Sequence, residues 1–229
     1  MKKVIGFKGV LDILGKKEIK LLRISEDFKN NKKVVEILNF ARNNKIDYEF
    51  VKQDKIFKIE ALLDEKEFTF SSALKLLQEK SEAVVLVLDH IQDIGNFGSI
   101  IRTAEAFGIN YIIIPNKNSV KVNDTVIKIS AGAFAYIEII EVPNLTESIE
   151  RLKEIGFWIY GTDIEASKNF KEIEYSKKCC IVMGSEESGM KKRVQDSCDF
   201  LVKIPMKGKA NSLNVAVACG IILAQVTGG

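Results

Sequence analysis

From Ala83 onward the chain alternates short apolar runs with helical patterns, and no other feature of the sequence restricts its fold as much. Ala83 to Leu88 is continuously apolar, as a strand buried on both faces requires. Gly98 to Phe107 reads as a helix ending at Gly108, and the next strand, Tyr111 to Ile114, is stopped by Pro115. Further strands are expected at Tyr136 to Val142, Trp158 to Thr162, Cys179 to Met183 and Phe200 to Ile204. Helices are expected at Asp124 to Ser130, Leu145 to Ile155 and Leu213 to about Gln225. Strands separated by helices predict an α/β domain whose mostly parallel sheet carries helices on both faces.

The front third has a different texture. Ile19 to Ile24 and Tyr48 to Val51 read as strands, and Val34 to Asn43 as a helix with Val34, Leu38 and Ala41 on one face. From Asp64 to Ser81 the text turns charged, with Ser71 and Ser72 offering a helix cap. This predicts a small α/β domain over residues 1–80 and a larger one over 81–229. Residues 1–80 hold 18 Lys and Arg against 13 Asp and Glu, whereas the remainder holds 16 against 18. The basic excess sits where a polyanion would be met, although a modest surplus is equally the mark of solvated helix faces.

Three polar, glycine-bearing loops fall where expected strands pass into helices: 93–102, 183–189 and 204–215. In alternating strand and helix folds ligands gather outside the carboxyl ends of strands, so the three loops predict one composite pocket. In the first, Gly98 is read as opening a helix, which places Asn96 and Arg102 toward a common point suited to a phosphate, or else leaves a capping Asn and a surface Arg. In the second, Gly184 lets backbone approach a ligand, and Glu186 either fixes a hydroxyl or amino group or serves as a helix-terminal charge. In the third, Ile204-Pro205-Met206 breaks off a strand and Ser212 reads as the cap of the last helix. That helix is apolar nearly all round and must be buried against the sheet or a second subunit.

Several chemistries are excluded by counting. His90 is the only histidine, which rules out histidine-based metal sites and Ser-His-Asp triads, and no metal is expected. Cys179, Cys180, Cys198 and Cys219 lack metal-type spacing and read as reduced packing residues. The first loop offers only G-x-x-G, with no acidic residue on Tyr111 to Ile114, so a dinucleotide site is rejected. A triphosphate-cradling loop is absent as well. No apolar run reaches membrane-spanning length and the start turns polar by Lys8, so a cytoplasmic protein is expected.

The stretches N-x-G-x-x-x-R-T at 96–103, G-S-E-x-x-G at 184–189 and I-P-M then S-L-N-V at 204–215 occur in that order. They resemble the signature motifs of the SpoU family of RNA ribose 2′-O-methyltransferases, within the SPOUT class, and the resemblance covers Ala83 to Gly229. It implies a C-terminal trefoil knot, which periodicity alone would never suggest, a homodimer, and S-adenosyl-L-methionine as cofactor. It also implies Asn96, Arg102, Glu186, Ser212 and Asn214 as catalytic residues, with Thr162, Gly184, Ile204, Met206 and Leu213 around the cofactor. The implied partner is structured RNA, with ribosomal RNA favoured over transfer RNA. A non-catalytic RNA-binding assembly factor is the rival reading. The front domain resembles, more loosely, the ribosomal-protein-like RNA-binding domain of such enzymes, but reads Phe57-Lys58-Ile59-Glu60-Ala61 where a His-Gln-Gly stretch is common. Glu187 and Ser188 stand where many relatives have a further glycine.

Overall fold

The computed structural model describes residues 3–52, 58–63 and 68–228, and the chain divides into two compact units. Phe57 of the stretch compared above and residues 64–67 at the head of the charged segment lie outside the described residues. The first unit joins the N-terminal segment, through residue 67, to residues 122–136. It runs β1 (Lys3–Ile5), α1 (Phe7–Ile13), β2 (Ile19–Ser25), α2 (Lys32–Asn43), β3 (Asp47–Val51) and β4 (Ile59–Leu63), with sheet order β1-β4-β2-β3. Among the described residues of this sheet only the β2–β3 pair is parallel, because α2 carries the chain back between them. The side chain of Asn31 caps α2 by accepting the Lys33 N–H at 3.0 Å. Val34, Ile37, Leu38 and Ala41 of α2 pack on Leu22, Ile24, Ile59 and Ala61 of the sheet.

The second unit contains a seven-stranded, entirely parallel sheet in the order β7-β6-β5-β10-β8-β11-β9. Its elements begin with α3 (Phe70–Gln78), β5 (Ala83–Asp89), α4 (Ile94–Ala106) and β6 (Tyr111–Pro115). The chain then contributes α5 (Asp124–Ile129) to the first unit before continuing with β7 (Glu138–Val142), α6 (Leu145–Glu154), β8 (Trp158–Thr162), β9 (Lys168–Asn169), β10 (Lys178–Gly184), α7 (Lys192–Asp196), β11 (Phe200–Lys203) and α8 (Val215–Thr227). Alternate residues of β5 face opposite ways, as the strand period demands. Val85 and Val87 join a core with Ala73, Leu74 and Leu77 of α3 and Ile149 and Leu152 of α6, and Leu86 and Leu88 are equally buried. α8 packs on α4 and touches β10, and Gly220 brings it close to Thr103.

Two boundaries differ from the expectation for physical reasons. Residues 68–78 group with the second unit, since Ala73, Leu74 and Leu77 are buried there, so the division falls at 67/68 rather than 80. Residues 122–136 group with the first unit because Gly132, at φ 94°, lies against Gly9; a Cβ on Gly132 would come within 2.9 Å of the Gly9 Cα. Tyr136 then ties that segment down by donating its hydroxyl to the Asp12 carbonyl at 2.7 Å. Among the described residues no helix is long and apolar enough to cross a membrane, and no group of three or more His, Cys, Asp or Glu could hold a metal ion.

Candidate functional site

β10 is inserted between β5 and β8, so the loops after β5, β8, β10 and β11 open at the same carboxyl edge of the sheet. Gly184 ends β10, and a Cβ there would fall 2.1 Å from the carbonyl carbon of Gly189 and 2.2 Å from the Met190 nitrogen. Only glycine lets this loop fold back on its own strand. The fold-back is fixed by reciprocal hydrogen bonds between Ser185 and Gly189, both 3.0 Å, and by a 2.8 Å contact between the Ser185 and Ser188 hydroxyls. The turn projects Glu186 toward the start of α8.

Asn214 caps α8 by accepting the Ala216 and Val217 N–H groups at 3.0 and 3.3 Å. Its amide nitrogen donates to Asn96 Oδ1 at 2.8 Å and to Glu186 Oε1 at 2.7 Å, and the same Glu186 oxygen accepts the Val215 N–H at 3.0 Å. One side-chain amide thus joins the loops that follow β5, β10 and β11. The cap expected at Ser212 lies two residues later, because Asn214 satisfies two orphan helix donors at once.

Two cavities adjoin at this junction. The first, about 480 Å³, is bounded by Thr162, Gly184, Glu186, Ile204, Met206, Ser212 and Leu213, all residues singled out by sequence. Thr162 is oriented by donating its hydroxyl to the Val182 carbonyl at 3.2 Å. Met183, Val202 and Leu213 give the cavity apolar walls, while Asp163, Glu165, Glu186 and Glu187 outweigh the single lysine, Lys203, on its polar side. The second, about 350 Å³, is lined by His90, Asp93, Asn96 and Lys191 and shares the wall Ser185 to Ser188 and Val215 with the first. A volume of several hundred Å³ with apolar walls and a few convergent polar groups suits a cofactor-sized ligand.

Arg102 stands apart. α4 opens at Ile94, where Asp93 Oδ1 accepts the Asn96 N–H at 2.6 Å, and not at Gly98 as expected. Asn96 is therefore the third helical residue, and Arg102 lies about 9 Å farther along the axis and about two thirds of a turn around it. The two do not face a common point. Arg102 is exposed, has no hydrogen-bond or ion-pair partner among the described residues and lines neither cavity. Sequence reading also missed the group behind the second cavity, in which buried Asp89 accepts from His90 Nδ1 and from the Lys191 N–H, the latter at 2.6 Å. No spacing signal could reveal that contact, since the partners lie about a hundred residues apart.

The SpoU rRNA Methylase family model matches residues 83–224. A Staphylococcus aureus protein (strain MSSA476), named as of the TrmH family of tRNA/rRNA methyltransferases, is 38% identical over 216 residues, covering 93% of this chain and 86% of that one. A similarly named Staphylococcus epidermidis protein is 36% identical over 225 residues, 97% of this chain and 90% of its own length. Among solved structures, the SpoU methyltransferase AviRb of Streptomyces viridochromogenes in complex with AdoMet superimposes with TM-score 0.81 at 21% identity, covering 98% of this chain and 88% of that one, a likeness of fold. The A. aeolicus TrmH/SpoU tRNA modifying enzyme gives TM-score 0.58 at 30% identity, over 69% of this chain and 82% of that one.

Proposed function

The chain belongs to the SpoU rRNA methylase family, and from that premise we propose that it methylates a ribose 2′-hydroxyl of structured RNA, with ribosomal RNA the favoured substrate and transfer RNA the alternative. The observation that carries this reading is the double hydrogen bond from Asn214 to Asn96 and Glu186, which sits where two cavities meet. A methyl transfer needs such a place, with donor on one side and acceptor on the other.

S-adenosyl-L-methionine is the methyl donor, and when bound it supplies an electrophilic methyl group on a sulfonium. The first cavity fits it. The cradle at Gly184 leaves backbone, not side chain, against the ligand, and the carboxylates of Asp163, Glu165 and Glu186 complement a sulfonium, an ammonium and a ribose diol. Thr162, Ile204, Met206 and Leu213 form the rest of the cofactor wall in this reading. Glu186, on the shared wall, is held by Asn214, which itself lines neither cavity, so neither must reorganise as the reaction proceeds. Asn96 and Ser212 position the acceptor ribose. By holding the acceptor hydroxyl against the bound donor, these residues would supply much of the acceleration.

Arg102 engages the RNA phosphate beside the reacting hydroxyl, where the planar guanidinium fork matches two phosphate oxygens. Because it lines neither cavity of its own chain, it is delivered to the site of a second copy in a homodimer. The C-terminal trefoil knot belongs to the same reading, supported by residues 184–190 lining one cavity together with Ile204, Met206, Ser212 and Leu213. Residues 1–80 bring RNA to the site, supported by their basic excess. A cytoplasmic location is part of the same reading.

The test is incorporation of labelled methyl groups from S-adenosylmethionine into RNA from cells lacking the gene, followed by mapping of alkali-resistant 2′-O-methyl positions. Label in ribosomal RNA that vanishes with Arg102→Ala supports the reading. Binding of RNA without label, from a well-folded protein, would leave the assembly-factor rival standing instead.

A further inference from the structure

The second cavity contains a charged chain of contacts that the methyl transfer, as described, does not use. Asp89 ends β5, is fully buried, and accepts from both His90 Nδ1 and the Lys191 backbone N–H. With Nδ1 occupied as a donor, His90 Nε2 carries the lone pair, and the Lys191 ammonium donates to it at 2.6 Å. His90 sits at φ 60°, a left-handed conformation that is strained for a residue with a Cβ. Asp89 and Lys191 together hold it there. The His90 side chain is 19% exposed, whereas Lys191 is at the surface.

A lysine ammonium resting on a neutral imidazole is poorly matched compared with one resting on an anion. The other charged groups at the cavity are Asp93, which caps α4, Glu186, which is engaged by Asn214, and Glu187. They make the Glu186 side anionic, fit for a ribose, and leave Lys191, resting on His90, as its cationic end. Resting on the reading of the chain as an RNA methyltransferase, we propose that Lys191 and His90 form a proton-linked anchor for a backbone phosphate of the acceptor RNA, with Lys191 parked on His90 until RNA arrives. When the phosphate enters, Lys191 turns to it. His90 Nε2, released, takes up a proton and becomes a second donor to the same anion, with Asp89 stabilising the imidazolium. One proton is bound per phosphate seated, so RNA affinity rises as pH falls.

The composition makes this unusually testable, because His90 is the only histidine. The thiols do not interfere: burial pushes Cys179, Cys198 and Cys219 up to about 12 and Cys180 well above its usual value. The experiment measures binding of a fluorescently labelled, unmethylated ribosomal RNA transcript to the full chain between about pH 6 and pH 8, the histidine range, and between about 50 and 200 mM salt. The wild type is expected to bind more tightly toward acid, by up to about tenfold per pH unit for one coupled proton. His90→Asn, which tolerates the left-handed backbone, is expected to flatten the profile to under about twofold. Lys191→Met is expected to lower the slope of log K against log salt by about one.

An unchanged pH profile in His90→Asn, or an unchanged salt slope in Lys191→Met, overturns the anchor. In the wild type itself, the single imidazole Cε1–H resonance should move its titration midpoint upward when the transcript is added, and an unmoved midpoint is equally fatal. A wild type that methylates RNA while the variants behave identically sinks only this inference. A wild type that neither binds nor methylates RNA sinks the functional reading with it.

Discussion

Glu186 Oε1 lies 2.7 Å from the amide nitrogen of Asn214 and 3.0 Å from the Val215 nitrogen, so one carboxylate oxygen receives both a side chain and the start of α8. Asn214 therefore has two separable duties. Its oxygen caps the helix, and its nitrogen bridges to Asn96 and Glu186.

Asn214→Asp separates them. Aspartate caps helices as well as asparagine does, so the cap itself is kept and any loss of thermal stability should be small beside the loss of activity. The bridge, however, becomes two carboxylates in contact with no donor between them. Methyl transfer should fall by at least about tenfold, the scale set by loss of one preorganised hydrogen bond at a reacting centre. Single-turnover kinetics beside a melting curve checks both halves.

Gly184→Ala should be felt first in cofactor binding. The added methyl would sit 2.1 Å from Gly189 backbone, which must move and take the loop with it. Overpacking of this kind destabilises by about 1–3 kcal/mol. Calorimetric titration with S-adenosylhomocysteine should show weakened binding, and an unchanged affinity would remove Gly184 from the cofactor wall.

Mixing two inactive variants tests where Arg102 acts. If it completes the site of a second copy, an equimolar mixture of Arg102→Ala and Asn214→Asp chains, unfolded and refolded together, should recover about a quarter of wild-type activity, from the intact site in each heterodimer of a symmetric pair. If Arg102 serves its own chain, every site in the mixture stays defective and no activity returns.

Glu60 offers a pH prediction in the first unit. It is buried, and desolvation raises its pKa above the usual carboxylate value despite Lys3 at 3.8 Å and Arg23 at 3.4 Å. A raised folded-state pKa means that its favourable contribution is complete in acid, below the unfolded value, and is lost as pH rises through the folded one. Relative to wild type, Glu60→Gln should become steadily more stable between acid and neutral pH. Urea titrations across that range would show the opposite trend, or none, if Lys3 and Arg23 outweigh burial.

The second unit was the more legible part of the sequence because long parallel strands announce themselves by continuous apolar runs. Trp158 to Thr162 falls where it was expected, and the strands at 83–89, 111–115 and 178–184 differ only at their ends. Helix starts were harder. Asp93 and Asn214 win the capping contest over the candidates near Gly98 and Ser212 through hydrogen bonds seen only in three dimensions. β1, α1 and β4 escaped because they are short and lysine-flanked, even though Val4, Val10, Ile13 and Ile59 are buried. The grouping of the three loops could be anticipated from their shared place at strand ends. The position of Arg102 could not, because it depends on where α4 begins, and neither could the contact between Asp89 and Lys191.

The placement of β10 in the middle of the sheet also governs how the protein is made. Its neighbours β5 and β8 begin at residues 83 and 158, yet the strand that joins them is residues 178–184. A nascent chain leaving the ribosome before that segment emerges has β5 paired on one side only, with β6, and β8 without β10 or β11, so each presents an open, apolar edge. Such a chain must wait, its edges exposed to mispairing, and pairings so distant in sequence close slowly. Truncation between the end of β8 and residue 178 should therefore leave the second unit aggregated and not folded as a smaller domain, and a holding chaperone has its clearest work in that interval of synthesis.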